Sequence, residues 1–154
     1  MERRDFLKKA GAGTAVAAGT LAAPAIVKAR TEIAMVTTWP RDFPGLGTGA
    51  QRFAKSLSEL SDGRLNVTYY ASGERVKPFD SFDEVASGNA QMYHAADYYW
   101  KGKHPGWAYF TAVPFGFVYS EINSWINWGG GQELWDELAG EFGLKCLSCG
   151  NTGV

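Results

Sequence analysis

The sequence predicts an α/β fold in which a mostly parallel sheet is flanked by helices. Short apolar segments rich in β-branched residues alternate along the chain with segments whose apolar residues recur at helical spacing. Glycine or proline separates most of these segments. A β-α-β-α-β order of this kind is typical of layered sheets with parallel strands. Residues 30–154 are enough for one core of modest size.

Each element is predicted from its own pattern. The predicted strands are Glu32–Thr38, Arg64–Tyr70, Ala90–Ala95 and Leu144–Cys149, and the predicted helices are Ala50–Leu60, a short helix capped by Asp80 or Ser81 that ends at Ala86, Ser120–Trp128 capped by Ser120, and Gln132–Phe142. Gly63 follows the first helix, where a left-handed residue commonly ends a helix. Gly129-Gly130-Gly131 lacks the Lys-Ser/Thr pair of a phosphate-binding loop, so we interpret it as a helix break.

Residues 1–29 have the composition of an export signal. Four cations surround Phe6 and Leu7, and Ala10–Ala25 follows without any charge. A basic start, a short apolar run and a small-residue end are typical of a secretory signal peptide. The stretch Arg3–Lys8 also matches the twin-arginine pattern R-R-x-F-L-K. We therefore predict a twin-arginine signal peptide and a periplasmic location, with an ordinary Sec leader and an uncleaved anchor as alternatives.

The charge balance and the two cysteines limit the classes of function that the sequence favours. A formal net charge of −1 favours neither nucleic acid nor an anionic membrane. Cys146 and Cys149 form a C-x-x-C motif, which in an exported protein is a redox pair or half of a zinc site. The sequence has no second cysteine pair, and His94 and His104 lack ligand spacing. We favour two structural strand residues over either site.

Three aromatic residues directly follow the predicted strand Ala90–Ala95. They are Tyr98, Tyr99 and Trp100. In open α/β sheets, ligands bind outside the carboxyl ends of the strands, so these rings are candidate pocket walls, with packing at the sheet edge as the alternative. Asp97 beside them is predicted to accept backbone hydrogen bonds as a cap. Phe115 and Phe117 are predicted core residues.

Several motifs, taken in chain order, resemble the solute-binding proteins of tripartite ATP-independent periplasmic (TRAP) transporters. The motifs are Thr38-Trp39-Pro40, Ser61-Asp62-Gly63-Arg64, Ser72-Gly73-Glu74 and Gly88. Others resemble the subgroup that binds 2-oxo monocarboxylates such as pyruvate: Tyr98-Tyr99-Trp100-Lys101-Gly102-Lys103, Val113-Pro114-Phe115, the run from Trp128 to Leu134, and Gly150-Asn151-Thr152-Gly153-Val154.

The resemblance implies a periplasmic-binding-protein-like fold of two α/β lobes that close around a small carboxylate. It also implies a longer chain, so we expect 30–154 to be the N-terminal lobe, with the second lobe largely missing. Tyr98, Tyr99 and Trp100 match the aromatic wall of the family's pocket, and Asn151 is a weaker candidate. A glutamine and an arginine that contact substrate, and the ligands of a sodium or other metal ion, are expected beyond Val154.

The resemblance also implies a binding protein and not an enzyme. The expected function is capture of a small organic acid and its delivery to the TRAP permease membrane subunits, without a cofactor and without nucleic acid. A homodimer is compatible with this function. Two alternatives stay open: an exported redox enzyme that uses Cys146 and Cys149, and a non-functional fragment of the binding protein.

Overall fold

The computed structural model describes residues 30–151, which form a three-stranded parallel sheet with helices and 3₁₀ turns packed around it. The predicted signal peptide, residues 1–29, lies outside the described residues. No helix between residues 30 and 151 is long and apolar enough to cross a membrane.

The sheet has the order β2-β1-β3, and all of its strands are parallel. The strands are β1 Thr31–Thr37, β2 Leu65–Tyr70 and β3 Met92–His94. The central strand β1 is paired along six positions with β2 and along three with β3. Its last three residues are buried, as expected for a strand covered on both faces. The predicted parallel α/β architecture is confirmed.

Helices and 3₁₀ turns fill the connections between strands. The helices are α1 Leu46–Leu60, α2 Ser81–Ala86, α3 Tyr119–Trp128 and α4 Gly131–Gly140, and the 3₁₀ turns are Pro78–Asp80, Asp97–Trp100 and Pro105–Phe110. Helix α1 begins at Leu46 and not at Ala50. Gly47 permits this early start, because a Cβ there would lie 2.5 Å from the Pro40 carbonyl oxygen. The predicted helix break is confirmed at Gly129 and Gly130, whereas Gly131 begins α4.

Two apolar clusters form the core. The smaller cluster packs α1 against the sheet and contains Met35, Trp39, Ala50 and Ala54. The larger cluster lies around Phe82, Trp100 and Trp107 and extends to α3, α4 and Cys146. Tyr99 packs against both clusters, so the turn that carries it lies where the two parts of the core meet.

The predicted strand Leu144–Cys149 is wrong. Within residues 30–151 this segment forms no strand ladder. Its residues alternate inward and outward at first, and Cys146 is buried in the larger cluster. Gln132 Nε2 donates to the Cys146 carbonyl oxygen at 2.9 Å, so a side chain satisfies a backbone group that a strand would use in a ladder.

Two predicted helix caps are also wrong. Helix α3 begins at Tyr119 after Val118, whose N–H donates to Glu121 Oε2 at 3.0 Å, so Glu121 supplies the cap that was assigned to Ser120. Neither Asp80 nor Ser81 caps α2 through its side chain, because the 3₁₀ turn Pro78–Asp80 leads directly into that helix. The Ser81 hydroxyl instead donates to the Pro78 carbonyl oxygen.

Phe115 and Phe117 are exposed, so their predicted place in the core is wrong. They belong to the irregular segment 111–118, which precedes α3. Phe115 has a φ of 59°, in the left-handed region that non-glycine residues rarely occupy. The Phe115 ring at this left-handed position is exposed to solvent and is not packed in the core.

Candidate functional site

The parallel register brings Trp39 and His94 together at the carboxyl ends of β1 and β3. Thr37 lies opposite His94 in the ladder, and Trp39 follows two residues later. Trp39 Nε1 donates to His94 Nδ1 at 2.7 Å, and the two rings meet edge to face. Burial lowers the pKa of His94, which favours the neutral ring that this bond requires. Sequence reasoning missed this pair, although each residue lies at the end of a predicted strand.

Tyr99 packs on this pair and connects it to the surface. Its ring centroid lies 6.1 Å from that of Trp39, 5.1 Å from Phe79 and 4.6 Å from Tyr98. We call Trp39, Phe79, His94, Tyr98 and Tyr99 the aromatic cluster. Phe79 and Tyr98 are exposed, whereas Trp39 is buried. The cluster therefore has a buried base at the sheet and an exposed rim.

The hydroxyl of Tyr99 stays protonated at neutral pH. Burial, and then the neighbouring Tyr98, raises the pKa of Tyr99 to about 12. A protonated phenol can donate a hydrogen bond to an acceptor such as a carboxylate or keto oxygen. The rim of the aromatic cluster can thus offer a hydrogen-bond donor beside an apolar surface.

Trp100 lies in the core, beneath the turn that carries Tyr98 and Tyr99. Its side chain is only 4% exposed, and its Nε1 donates to the Phe79 carbonyl oxygen at 2.9 Å. Its ring packs 5.2 Å from those of both Phe82 and Tyr93. Trp100 therefore lies in the core and supports the turn from below, whereas Tyr98 and Tyr99 lie at the surface of the site.

Asp97 holds this turn against α4. Its Oδ2 accepts from Trp135 Nε1 at 2.7 Å, and its Oδ1 accepts from the Tyr93 hydroxyl at 3.5 Å. Its predicted partners were backbone N–H groups, so that prediction is wrong. The carboxyl is buried, which raises the pKa of Asp97 to about 6, although both hydrogen bonds act in the opposite direction.

Asn151 is positioned by a different element. Its Nδ2 donates to Asn123 Oδ1 on α3 at 3.1 Å, and the residue is exposed. No hydrogen bond or ring contact described for residues 30–151 joins Asn151 to the aromatic cluster. The structure thus brings together Tyr98 and Tyr99 with residues that were not predicted, and it leaves Asn151 apart from that set.

Arg41 and Glu74 form an ion pair at the same edge of the sheet. Arg41 Nε and Nη2 donate to the two Glu74 carboxylate oxygens at 2.8 and 2.5 Å, and the guanidinium lies 5.1 Å from the Tyr69 ring centroid. The hydrogen bond from Arg41, and then that from the Ala71 N–H, lowers the pKa of Glu74. Because its planar fork is already matched to a carboxylate, an organic acid would have to compete with Glu74 for Arg41.

Comparison with known proteins identifies the family to which this site belongs. Residues 35–154 match the DctP family, bacterial extracellular solute-binding protein family 7. The chain belongs to this family. A monocarboxylate 2-oxoacid-binding periplasmic protein of Nostoc sp. is 32% identical to it over 160 aligned positions, which cover 100% of this chain and 44% of the relative.

Two solved TRAP periplasmic solute-binding proteins share the fold of this DctP chain. One is from Colwellia psychrerythraea, with bound calcium and pyruvate, and the other is from Pseudoalteromonas atlantica T6c, with bound sodium and pyruvate. Each is 38% identical, superposes with a TM-score of 0.72, and matches 74% of this chain but 35% of its own. The chain thus spans less than half the length of these relatives.

No cluster of acidic, histidine or cysteine side chains marks a metal site in the described part of the DctP chain. No group of three His, Cys, Asp or Glu residues between residues 30 and 151 is placed to hold a metal ion. The calcium and sodium of the two solved relatives are bound in proteins of which this chain matches 35%. Ligands beyond Val154 stay a prediction.

Cys146 has the properties of a structural residue, whereas Cys149 is exposed. Cys146 is buried, and burial raises the pKa of its thiol to about 12. Desolvation also raises the pKa of the Cys149 thiol. Reactive and redox-active cysteines need a lowered thiol pKa, because the thiolate is the nucleophile. The arrangement therefore disfavours a redox centre, the alternative that the C-x-x-C motif had left open.

We expect Cys146 to resist alkylation in the folded chain. Its thiol is buried and protonated, so iodoacetamide at neutral pH should modify it far more slowly than in the urea-unfolded chain. Peptide mass spectrometry after timed quenching measures both rates, with the exposed Cys149 as the internal comparison. Rapid modification of folded Cys146, or reversible disulfide cycling with Cys149, would contradict this assignment.

Proposed function

We propose that this chain forms part of the substrate site of a TRAP solute-binding protein for a small 2-oxo monocarboxylate such as pyruvate. The observation that carries the proposal is the aromatic cluster at the carboxyl ends of β1 and β3, in a chain whose relatives bind such acids. The function is capture and release, and no bond is made or broken.

The chemistry of the aromatic cluster suits one side of a 2-oxo acid. The carboxylate and keto oxygens accept hydrogen bonds, and the Tyr99 hydroxyl stays protonated to donate. Once a ligand covers them, the rings of Trp39 and Phe79 would keep water from this side, which would strengthen polar contacts made there. A carboxylate also needs a cation, and Arg41 at this edge of the sheet is already paired with Glu74. The proposal therefore assigns the charged anchor to residues outside the aromatic cluster.

The proposal extends to transport. After export by the twin-arginine route, the chain would act in the periplasm and deliver its ligand to the TRAP permease membrane subunits. Closure of two lobes around the ligand would control uptake and release, as in hinge-bending binding proteins. The aromatic cluster would then be one wall of the cleft, and the opposing lobe would supply the other.

The test is pyruvate binding by a chimera. Residues 30–154 would replace the matched region of the Colwellia relative, and calorimetry would measure the affinity. We expect binding by the chimera, and little or none by the 154-residue chain alone, because Arg41 is paired with Glu74 and no group of three His, Cys, Asp or Glu residues within 30–151 is placed to hold a metal ion. Tight binding by the isolated chain would contradict the division of the site, and a folded chimera that does not bind would sink the proposed function.

Tyr99→Ala in the chimera is expected to weaken pyruvate binding by about 1–3 kcal/mol, the cost of leaving buried polar partners unpaired. Tyr99→Phe separates the hydroxyl from the ring, and should retain the packing on Trp39 while losing the donor. Tyr70→Ala is the matched control, since Tyr70 contacts Arg75 and lies outside the aromatic cluster. Equal affinities for all four proteins would remove Tyr99 from the site.

A further inference from the structure

His94 joins the two strands that carry the base of the aromatic cluster. It is the last residue of β3, and the ladder places it opposite Thr37 of β1. Its Nδ1 accepts from Trp39 Nε1 at 2.7 Å, and the two ring centroids lie 6.2 Å apart. Its carbonyl oxygen accepts from the Thr38 N–H at 3.4 Å. Both the backbone and the side chain of His94 therefore tie the end of β1 to β3.

The bond to His94 selects one orientation of the Trp39 ring. Trp39 is only 8% exposed, so its indole N–H is largely removed from water and needs an acceptor inside the protein. Indole has a single donor and no acceptor, and His94 Nδ1 meets that need at a short distance. Apolar packing alone would allow the ring several orientations, whereas a satisfied buried hydrogen bond specifies one of them.

The Tyr99 ring packs on Trp39, so its position depends on that orientation. Its centroid lies 6.1 Å from that of Trp39, with the two planes inclined by 56°, and it is held from another side by Phe79. Because protein interiors are close-packed, a rotated Trp39 would displace the ring that packs on it. The hydroxyl donor at the rim of the aromatic cluster would move with the Tyr99 ring.

We propose that His94 is a positioning residue of the substrate site, which orients Trp39 and through it places the Tyr99 hydroxyl at the rim. This inference rests on the proposed function, since only a ligand would use that hydroxyl. It requires neutral His94, because a protonated imidazole donates from both nitrogens and has no acceptor for the Trp39 N–H. Burial lowers the pKa of His94, so the bond is present at neutral pH and is lost on acidification.

Other titratable groups surround this pair and have to be separated from His94. They come from β2, from the loops after β1 and β2, and from the turn after β3, and they are Tyr69, Arg41, Glu74, Tyr98, Tyr99 and Asp97. Asp97 has a pKa of about 6 and therefore titrates in the same acidic range. Its carboxyl accepts from Trp135 and Tyr93 and not from Trp39. A decisive test therefore keeps Asp97 and changes only position 94.

Two substitutions separate the acceptor of His94 from its proton. In His94→Asn, the amide Oδ1 is attached to Cγ as Nδ1 is in histidine, so it can accept from Trp39 but does not titrate. In His94→Leu, the acceptor is removed and an apolar side chain remains. Asp97 is present in all three proteins, so any response to pH that the wild-type chain shares with His94→Asn belongs to Asp97 or to another common group.

Indole NMR of the ligand-free 154-residue chain tests the first step, with Trp39→Phe to assign the Trp39 signal. In the wild-type chain, we expect the Trp39 N–H signal to lose its hydrogen-bonded shift between neutral pH and about pH 5. His94→Asn should keep that shift throughout, and His94→Leu should lack it at every pH. The Tyr99 ring signals should change together with the Trp39 signal. Trp39 and Tyr99 signals that are the same in the wild-type chain and in His94→Leu would overturn the proposal.

Pyruvate affinity of the chimera tests the second step. At neutral pH, we expect His94→Asn to bind nearly as tightly as the unaltered chimera and His94→Leu to bind several-fold more weakly. Toward about pH 5, the unaltered chimera should lose several-fold more affinity than His94→Asn. Equal affinities for His94→Leu and the unaltered chimera would overturn the proposal. A chimera that binds no pyruvate refutes the proposed function, whereas the ligand-free signals still decide whether His94 orients Trp39 and Tyr99.

Discussion

Phe82→Ala is expected to lower the free energy of unfolding by about 3–5 kcal/mol, the range for removing a fully buried aromatic ring. Phe82 is 1% exposed and lies at the centre of the larger cluster. Its ring centroid is 6.1 Å from Tyr93, 5.2 Å from Trp100, 5.5 Å from Trp107 and 5.3 Å from Phe142. The substitution would thus leave a cavity where α2, β3 and both later 3₁₀ turns meet.

Urea unfolding followed by tryptophan fluorescence measures this loss. Because small domains have only about 5–15 kcal/mol of stability, Phe82→Ala should move the midpoint far toward zero urea. Phe53→Ala is the matched control: Phe53 is 39% exposed on α1, and we expect a loss of about 1 kcal/mol or less. Similar midpoints for the two variants would show that the core does not depend on Phe82.

The sheet was predictable because its strands carry their own signals. The segments around β1 and β2 are apolar, β-branched and bounded by turn residues, and each is long enough to pair over several positions. The segment 144–149 carries a similar local signal and forms no ladder within residues 30–151. Strand formation needs a partner edge as well as an extended chain, and no local pattern of residues 144–149 specifies that edge.

Only part of the candidate site could be predicted from the sequence, and the reason is geometric. Position after a strand indicated Tyr98, Tyr99 and Trp100 together, but they lie in a 3₁₀ turn. With three residues per turn, three successive side chains point in three directions, so all of them cannot face one pocket. Trp100 accordingly enters the core. His94 joins the site through its register opposite Thr37, and that register is a property of the sheet and not of the local sequence.

Asp97→Ala is expected to cost about 1–3 kcal/mol of stability, because it leaves the buried Trp135 N–H without its acceptor. The Tyr93 hydroxyl would lose its bond to Asp97 as well. Asp97→Asn is the matched variant, since its amide oxygen can still accept from Trp135 while the charge is removed. We expect a smaller loss for this variant by urea unfolding. Equal losses would show that the charge, and not the acceptor, holds the turn to α4.

The pH dependence of unfolding, measured for the wild-type chain and for Asp97→Asn, separates the contribution of the Asp97 charge from that of the hydrogen-bond acceptor. The folded-state pKa of Asp97, about 6, lies above its ordinary value of 3.8. The folded chain therefore binds a proton that the unfolded chain has released, and Asp97 loses stabilising effect as pH rises from about 4 through 6. His94 acts oppositely, because its lowered pKa costs stability as pH falls below its ordinary 6.5. His94 is present in both proteins, so its effect cancels when they are compared. The wild-type free energy of unfolding minus that of Asp97→Asn should therefore fall as pH rises from about 4 through 6, and then level off. A difference that does not change with pH would refute a buried, proton-binding carboxyl at position 97.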